Sequence, residues 1–273
     1  MRLNSPKEIA QNYISIGKKK AELPIDKMLL LAIIAGAFIA LGGIGAATAS
    51  VGAEPASAGK LISGCIFPGG LTLVLLAGSE LFTGNCLLSI PLLEKAITAK
   101  QMLRSWVVVY FGNMIGAMLV AAGLTYSGQY NMFDGALAVS TFSTAATKCT
   151  LTFSDAFIKG IFCNMLVCLA VWVAFSATDT AGKVISLFFP ILIFVICGFE
   201  HCIANMYYIS AGLFAKNIPS YVAAAQSAGL NLDVITWKNF LITNLIPVTL
   251  GNIVGGSVCV GALYWYVYLR KSK

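Results

Sequence analysis

The chain has 273 residues, 58% of them hydrophobic and only 11% charged, with mean hydropathy +0.84. A soluble domain carries about a quarter charged residues, so an ordinary soluble globular protein is excluded. The net charge of +7 sits in the ends and loops with no soluble basic domain to hold it, which excludes nucleic-acid binding and points to orientation in a membrane.

Residues 1–27 are charged and amphipathic (Arg2, Lys7, Glu8, Lys18, Lys19, Lys20, Glu22, Lys27). They lack the apolar core of a cleavable signal and predict a helix lying at the membrane interface. Charge-free runs follow, and a crossing helix needs about 20 apolar residues. They cover 28–53; 61–79, stopped by Glu80 and resumed to 93; 105–127; 160–178; 184–199, stopped by Glu200 and His201 and resumed to 215; and 240–269. The pattern predicts an all-α polytopic membrane protein: one domain over 28–269 with six spans, the second and fifth broken, and a short tail at 270–273.

Of the eighteen Lys and Arg residues, only Lys60, Lys148, Lys159, Lys216 and Lys238 fall in loops on one side. The rest fall on the other, so the positive-inside rule puts both termini in the cytoplasm of a cell-membrane protein. An even number of spans requires the same.

The chain repeats itself. Residues 78–85 read GSELFTGN and 198–205 read GFEHCIAN, both G-x-E-x-x-x-x-N. Residues 111–116 read FGNMIG and 250–255 read LGNIVG, both G-N-x-x-G. Span two thus matches span five, and span three matches span six. A unit of three crossings must re-enter from the opposite side, so the two halves predict an inverted repeat with its site at the midplane, where two broken helices meet.

Glu80 and Glu200 stand at the matching breaks. A carboxylate at a helix centre costs about 2.5–3.5 kcal/mol on insertion scales, so both need a reason. Capping of the free backbone N–H groups at each break, with Asn85 and Asn205, is one; a part in substrate or proton transfer is the other. His201 is the single histidine of the chain and sits beside Glu200. At membrane depth an ionisable residue marks a pathway. The Thr83 hydroxyl has no twin near Ile203 or Ala204 and can donate to a passing anion or to His201. Asn164 is polar in an apolar run, which suits an interhelical hydrogen bond or a pore position. Lys148, in the loop string STAATKCT, is either solvated or a lure for anions. Phe67, Leu71, Leu81 and Phe194 flank the breaks as core or as dry constrictions.

No metal or cofactor is expected. Seven of the cysteines (Cys65, Cys86, Cys163, Cys168, Cys197, Cys202, Cys259) lie in apolar runs without a Cys-x-x-Cys or Cys/His pattern, and read as small buried packing residues. One histidine supplies neither a zinc hydrolase motif nor bis-histidine haem. Ser79 with His201 lacks a Gly-x-Ser-x-Gly elbow, and no P-loop string exists. An enzyme is not expected.

Four strings in order carry a resemblance along essentially the whole chain: LLAGSELFTG at 75–84, GIFCNMLVCLA at 160–170, GFEHCIANM at 198–206 and NLIPVTLGNIVGG at 244–256. They resemble the formate/nitrite transporter family, and within it the bacterial hydrosulfide channels. The resemblance implies an aquaporin-like fold in a homopentamer with one pore per subunit. It implies His201, Thr83 and Asn164 at the polar centre, Lys148 and Glu200 tuning the charge nearby, and Phe67, Leu71, Leu81 and Phe194 as apolar constrictions. Small monovalent weak-acid anions (hydrosulfide, formate, nitrite) are the implied substrates, with transient protonation and a pH-responsive N-terminal segment. The rival expectation is a water or neutral-solute channel. Against it, the chain carries Gly84-Asn85-Cys86 and Ala204-Asn205-Met206 where such channels carry paired Asn-Pro-Ala.

Overall fold

The computed structural model describes residues 3–270, all helix and connecting turns. Arg2 of the N-terminal segment and residues 271–273 of the tail lie outside the described residues. Helix α1 spans Pro6–Glu22 and opens on a capping box: the Glu8 N–H donates to Ser5 Oγ at 3.3 Å and the Ser5 N–H to Glu8 Oε2 at 2.8 Å. Such reciprocal caps satisfy donors that a helix start otherwise leaves free. The remaining helices are α2 (Ile25–Ser50), α3 (Ala56–Leu76), α4 (Phe82–Leu93), α5 (Ala99–Tyr126), α6 (Ala136–Cys149), α7 (Phe153–Ala174), α8 (Thr180–Ile196), α9 (Cys202–Ala215), α10 (Pro219–Ser227) and α11 (Asn239–Tyr268).

Among the described residues, five helices are long and apolar enough to cross a membrane: α2, α3, α5, α7 and α11. Helices α4, α8 and α9 are apolar but too short to cross alone. The break expected near Glu80 separates α3 from α4, and the one at Glu200 separates α8 from α9. Several starts lie upstream of expectation, two of them because polar residues fit into a first turn when capped. Helix α5 begins at Ala99, not 105, on a Thr98–Gln101 capping box. Helix α7 begins at Phe153, not 160, with Thr152 accepting from the Asp155 N–H.

Two further departures matter for the site. The segment expected as a loop around Lys148 is mostly helix α6, with Lys148 in its last turn. And α1 does not merely lie on a surface: Ile9, Ala10, Tyr13, Gly17 and Ala21 are buried against α4, α5 and α11. Two of the cysteines expected as buried packing residues, Cys65 and Cys197, are exposed on the surface of the chain.

The G-N-x-x-G strings are close-approach sites. A Cβ on Gly116 would collide with the Ile33 carbonyl of α2, and one on Gly255 with the Ile161 carbonyl of α7. Glycine at these places lets α5 pack on α2 and α11 on α7 backbone to backbone, the way small residues work in membrane helix pairs. The local winding of α11 loosens to a π-helix over Asn239–Leu245 and again over Val254–Ala262.

Candidate functional site

Each break is made by the same sequence device. Gly78 and Gly198 adopt positive φ, +78° and +66°, which ends the preceding helix at no steric cost. Two residues on, Glu80 and Glu200 enter the break. Leu81 and His201 are then extended (φ −111° and −108°) and serve as N-caps of α4 and α9.

The side chains around the breaks make one pattern twice. Asn113 Oδ1 accepts from the Phe82 N–H at 2.9 Å, while its Nδ2 donates to the carbonyls of Ala32 and Glu80 at 2.7 and 2.9 Å. Asn252 Oδ1 accepts from the Cys202 N–H at 2.9 Å, while its Nδ2 donates to the carbonyls of Gly160 and Glu200 at 2.8 and 2.9 Å. These are the asparagines of the two G-N-x-x-G strings. They satisfy backbone groups that the bilayer interior would leave unpaired.

Glu80, Asn85 and Asn205 therefore do not cap the breaks in the way expected, nor does Glu200. The carboxylates bind side chains. Lys20 of α1 donates to Glu80 Oε1 at 2.8 Å and to Asn85 Oδ1 at 3.3 Å, and Asn85 Nδ2 donates to Glu80 Oε2 at 2.8 Å. On the other half, Lys148 donates to both Glu200 oxygens at 3.1 and 3.0 Å, and Asn205 Nδ2 donates to Glu200 Oε2 at 2.6 Å. Both glutamates are 5% exposed, so each buried charge has a cation and a hydrogen-bond donor, as burial demands. Lys148 is thus no free lure: its charge is matched by Glu200, and it lies 5.5 Å over the Tyr208 ring. One difference separates the halves. Asn85 Oδ1 accepts from Lys20, whereas Asn205 Oδ1 is buried with no partner.

The starts of α4 and α9 meet. Thr83 Oγ1 and His201 Nε2 are 2.9 Å apart, and His201 Nδ1 accepts from the Ala204 N–H at 3.1 Å. That second bond fixes the imidazole chemistry: Nδ1 holds a lone pair, so the neutral ring carries its hydrogen on Nε2 and donates it to Thr83. Asn164 stands behind Thr83, donating to the Thr83 carbonyl at 3.3 Å and the Asn252 carbonyl at 2.6 Å.

The four apolar residues are all buried. Phe67 and Phe194 pack edge to face with centroids 5.5 Å apart, and Phe194 lies 6.0 Å from the His201 ring. Leu71 and Leu81 line a cavity with Tyr13, Lys20, Ser79, Asn85 and Phe175. Its volume is about 30 Å³, room for about one water molecule. Helix α1 closes that cavity. Tyr13 is 1% exposed and packs edge to face on Phe175, and Asn4 bonds the carbonyls of Phe175 and Ser176.

Sequence reasoning missed Lys20, Asn113 and Asn252. The asparagines were visible in the repeated string G-N-x-x-G; no sequence signal separates Lys20 from its neighbours Lys18 and Lys19. Among the described residues no group of three or more His, Cys, Asp or Glu side chains could hold a metal ion.

Comparison with known proteins accounts for this arrangement. The family model for formate/nitrite transporters matches residues 7–266. The chain is 40% identical to a probable formate transporter of Methanothermobacter thermautotrophicus over 98% of both chains. It is 37% identical to the formate channel FocA of Escherichia coli, covering 98% of this chain and 95% of that one. Among solved structures, a pentameric formate channel with formate bound superposes with TM-score 0.80 at 38% identity, covering 90% of this chain and 98% of the other. An FNT family ion channel superposes with TM-score 0.82 at 29% identity, covering 95% and 98%. These relatives are channels and transporters, not enzymes, and the chain, a multi-pass membrane protein, belongs to the formate/nitrite transporter family.

Proposed function

We propose that this protein is a formate channel of the cell membrane, passing the substrate between the two half-helix starts at Thr83 and His201. The observation that carries the reading is the contact of these two polar side chains, with Phe194 beside the His201 ring and Phe67 packed on Phe194. The names of the relatives favour formate over hydrosulfide and nitrite, which stay as competing substrates of the same class.

The energetics favour a neutral passenger. A bare anion in a low-dielectric constriction costs up to tens of kcal/mol in the Born limit. Protonating a carboxylate of pKa about 4 at pH 7 costs roughly 4 kcal/mol. Lys20 and Lys148 are each matched by a glutamate, so neither fixes a strong net field that would trap the anion. The acid form then crosses. The Nε2–H of His201 and the Thr83 hydroxyl replace its lost hydration. His201 acts as a neutral donor: taking a second proton at Nδ1 would break its bond to Ala204. The proton comes from solution, and Asn164 holds Thr83 in place.

The two matching break networks support an inverted, aquaporin-like repeat. The basic bias of the α1 side supports cytoplasmic termini, so that 1–27 gates the inner mouth, 28–269 forms the channel and 270–273 trails into the cytoplasm. The closed cavity under Tyr13 supports α1 as that gate, opened by a change in pH. The pentameric relative supports a homopentamer. A neutral-solute channel is disfavoured by the relatives. Proteoliposomes test the reading: formate flux should exceed that of empty liposomes, while glycerol and water flux should not. Solute-independent swelling with no formate flux would reject it.

A further inference from the structure

A shallow, open groove runs along the outer face of α5, formed by side chains of that helix alone: Lys100, Leu103, Arg104, Val107 and Val108. It lies at the end of α5 nearest α1, away from the Thr83–His201 pair. Its walls are apolar and its rim is cationic. Leu103 and Val107 are 52% and 55% exposed, and the same stripe continues through Phe111 and Ile115. From Leu103 to Ile115 a helix rises about 18 Å, close to the depth of one leaflet, about 15 Å of hydrocarbon.

The rim cations are not neutralised by protein. Lys100 is exposed. Among the described residues no carboxylate pairs with Arg104. Its guanidinium uses Nη2 on the carbonyls of Ala21 and Leu23, and its Nε is buried without a partner. Arg104 is partly exposed, and a guanidinium is a strong donor to phosphate oxygens. An apolar helix face below neighbouring cations at the cytoplasmic interface is the chemistry of an anionic lipid site.

We infer that this groove binds an anionic phospholipid, its phosphate on Lys100 and Arg104 and one acyl chain along Leu103, Val107 and Phe111. The placement matters because the carbonyls held by Arg104 belong to the last turn of α1 (Ala21) and the α1–α2 link (Leu23), immediately beyond Lys20, which pairs with Glu80. A headgroup here braces the turn that positions α1 over the mouth. The inference rests on the positive-inside orientation proposed above, not on the substrate.

Native mass spectrometry of the detergent-released protein tests it, with phosphatidylglycerol against phosphatidylcholine of the same chains. The expected result is about fivefold stronger retention of phosphatidylglycerol. That preference should fall about threefold or more in Lys100→Gln, which removes the charge, and in Val107→Trp, which fills the chain path. Lys60→Gln, in the loop after α2, should behave as wild type, and formate flux by Lys100→Gln confirms that the variant folds. Equal retention of the two lipids, or an unchanged preference in both groove variants, overturns the inference. So does efficient subunit-to-subunit cross-linking of a Leu103→Cys variant by a short bismaleimide, because a second copy of the chain then fills the groove.

Discussion

Thr83 Oγ1 lies 2.9 Å from His201 Nε2, joining the starts of two short helices that are 118 residues apart in the chain. His201 also caps its own helix through Nδ1 and the Ala204 N–H. An asparagine is a good N-cap, but its shorter side chain removes the Nε2 donor beside Thr83. His201→Asn should therefore leave the fold and melting temperature nearly unchanged, while lowering formate flux about tenfold. A melting point depressed by more than about 10 °C would show that the histidine is chiefly structural.

Asn113 and Asn252 do the same work in the two halves. Replacing either with Ala strips one backbone donor and two backbone carbonyls of their partner. Each unsatisfied buried group costs about 1–3 kcal/mol. Both variants should lose thermal stability in detergent by similar amounts, and more than a surface substitution such as Ser127→Ala. A large loss in one and none in the other would contradict the equivalence of the two breaks.

Gly116→Ala and Gly255→Ala should both destabilise, by about 1–3 kcal/mol of overpacking, since each new methyl meets a neighbouring carbonyl. Gly123 has nothing within 4 Å of the corresponding position. In the same helix α5, Gly123→Ala should be neutral or stabilising, because alanine is the better helix former. Denaturation midpoints of the three variants check the contrast.

Lys148→Met leaves the Glu200 carboxylate buried without its cation, a change that typically costs about 3–5 kcal/mol. The double variant Lys148→Met, Glu200→Gln should recover most of that stability. It should not recover formate flux, because the charged pair at the mouth is gone. Recovery of flux in the double variant would show that the pair is purely structural.

The breaks were legible because they violate the hydrophobic pattern: a glycine and a glutamate inside two apolar runs have no bland explanation. The repeated strings told which residues correspond. What the corresponding residues bind was not legible, because spacing along the chain says nothing of contacts made across it. Glu80 meets Lys20 over 60 residues and Asn113 over 33, and both partners were read as something else, a surface charge and part of an internal repeat. Lys148 was placed in a loop because its neighbours are small and polar, yet Ala136–Cys149 folds as a helix whose end delivers it to Glu200. The packing of α1 against α4, α5 and α11 was hidden for a similar reason. Its amphipathic pattern fits a membrane surface as well as it fits a protein surface, and only burial of Tyr13 separates the two.

The central claim is that His201 works as a neutral hydrogen-bond donor to an acid that takes its proton from solution. The most direct test is formate flux into proteoliposomes from pH 5 to 8, for wild type and for His201→Asn. Each unit of falling pH raises the acid fraction about tenfold near neutrality, so flux should rise with acidity in both proteins. The two curves should be parallel on a logarithmic scale, offset by the loss of one donor. A wild-type curve that bends near pH 6–7, with the bend abolished in His201→Asn, would contradict the account and make the histidine the proton carrier.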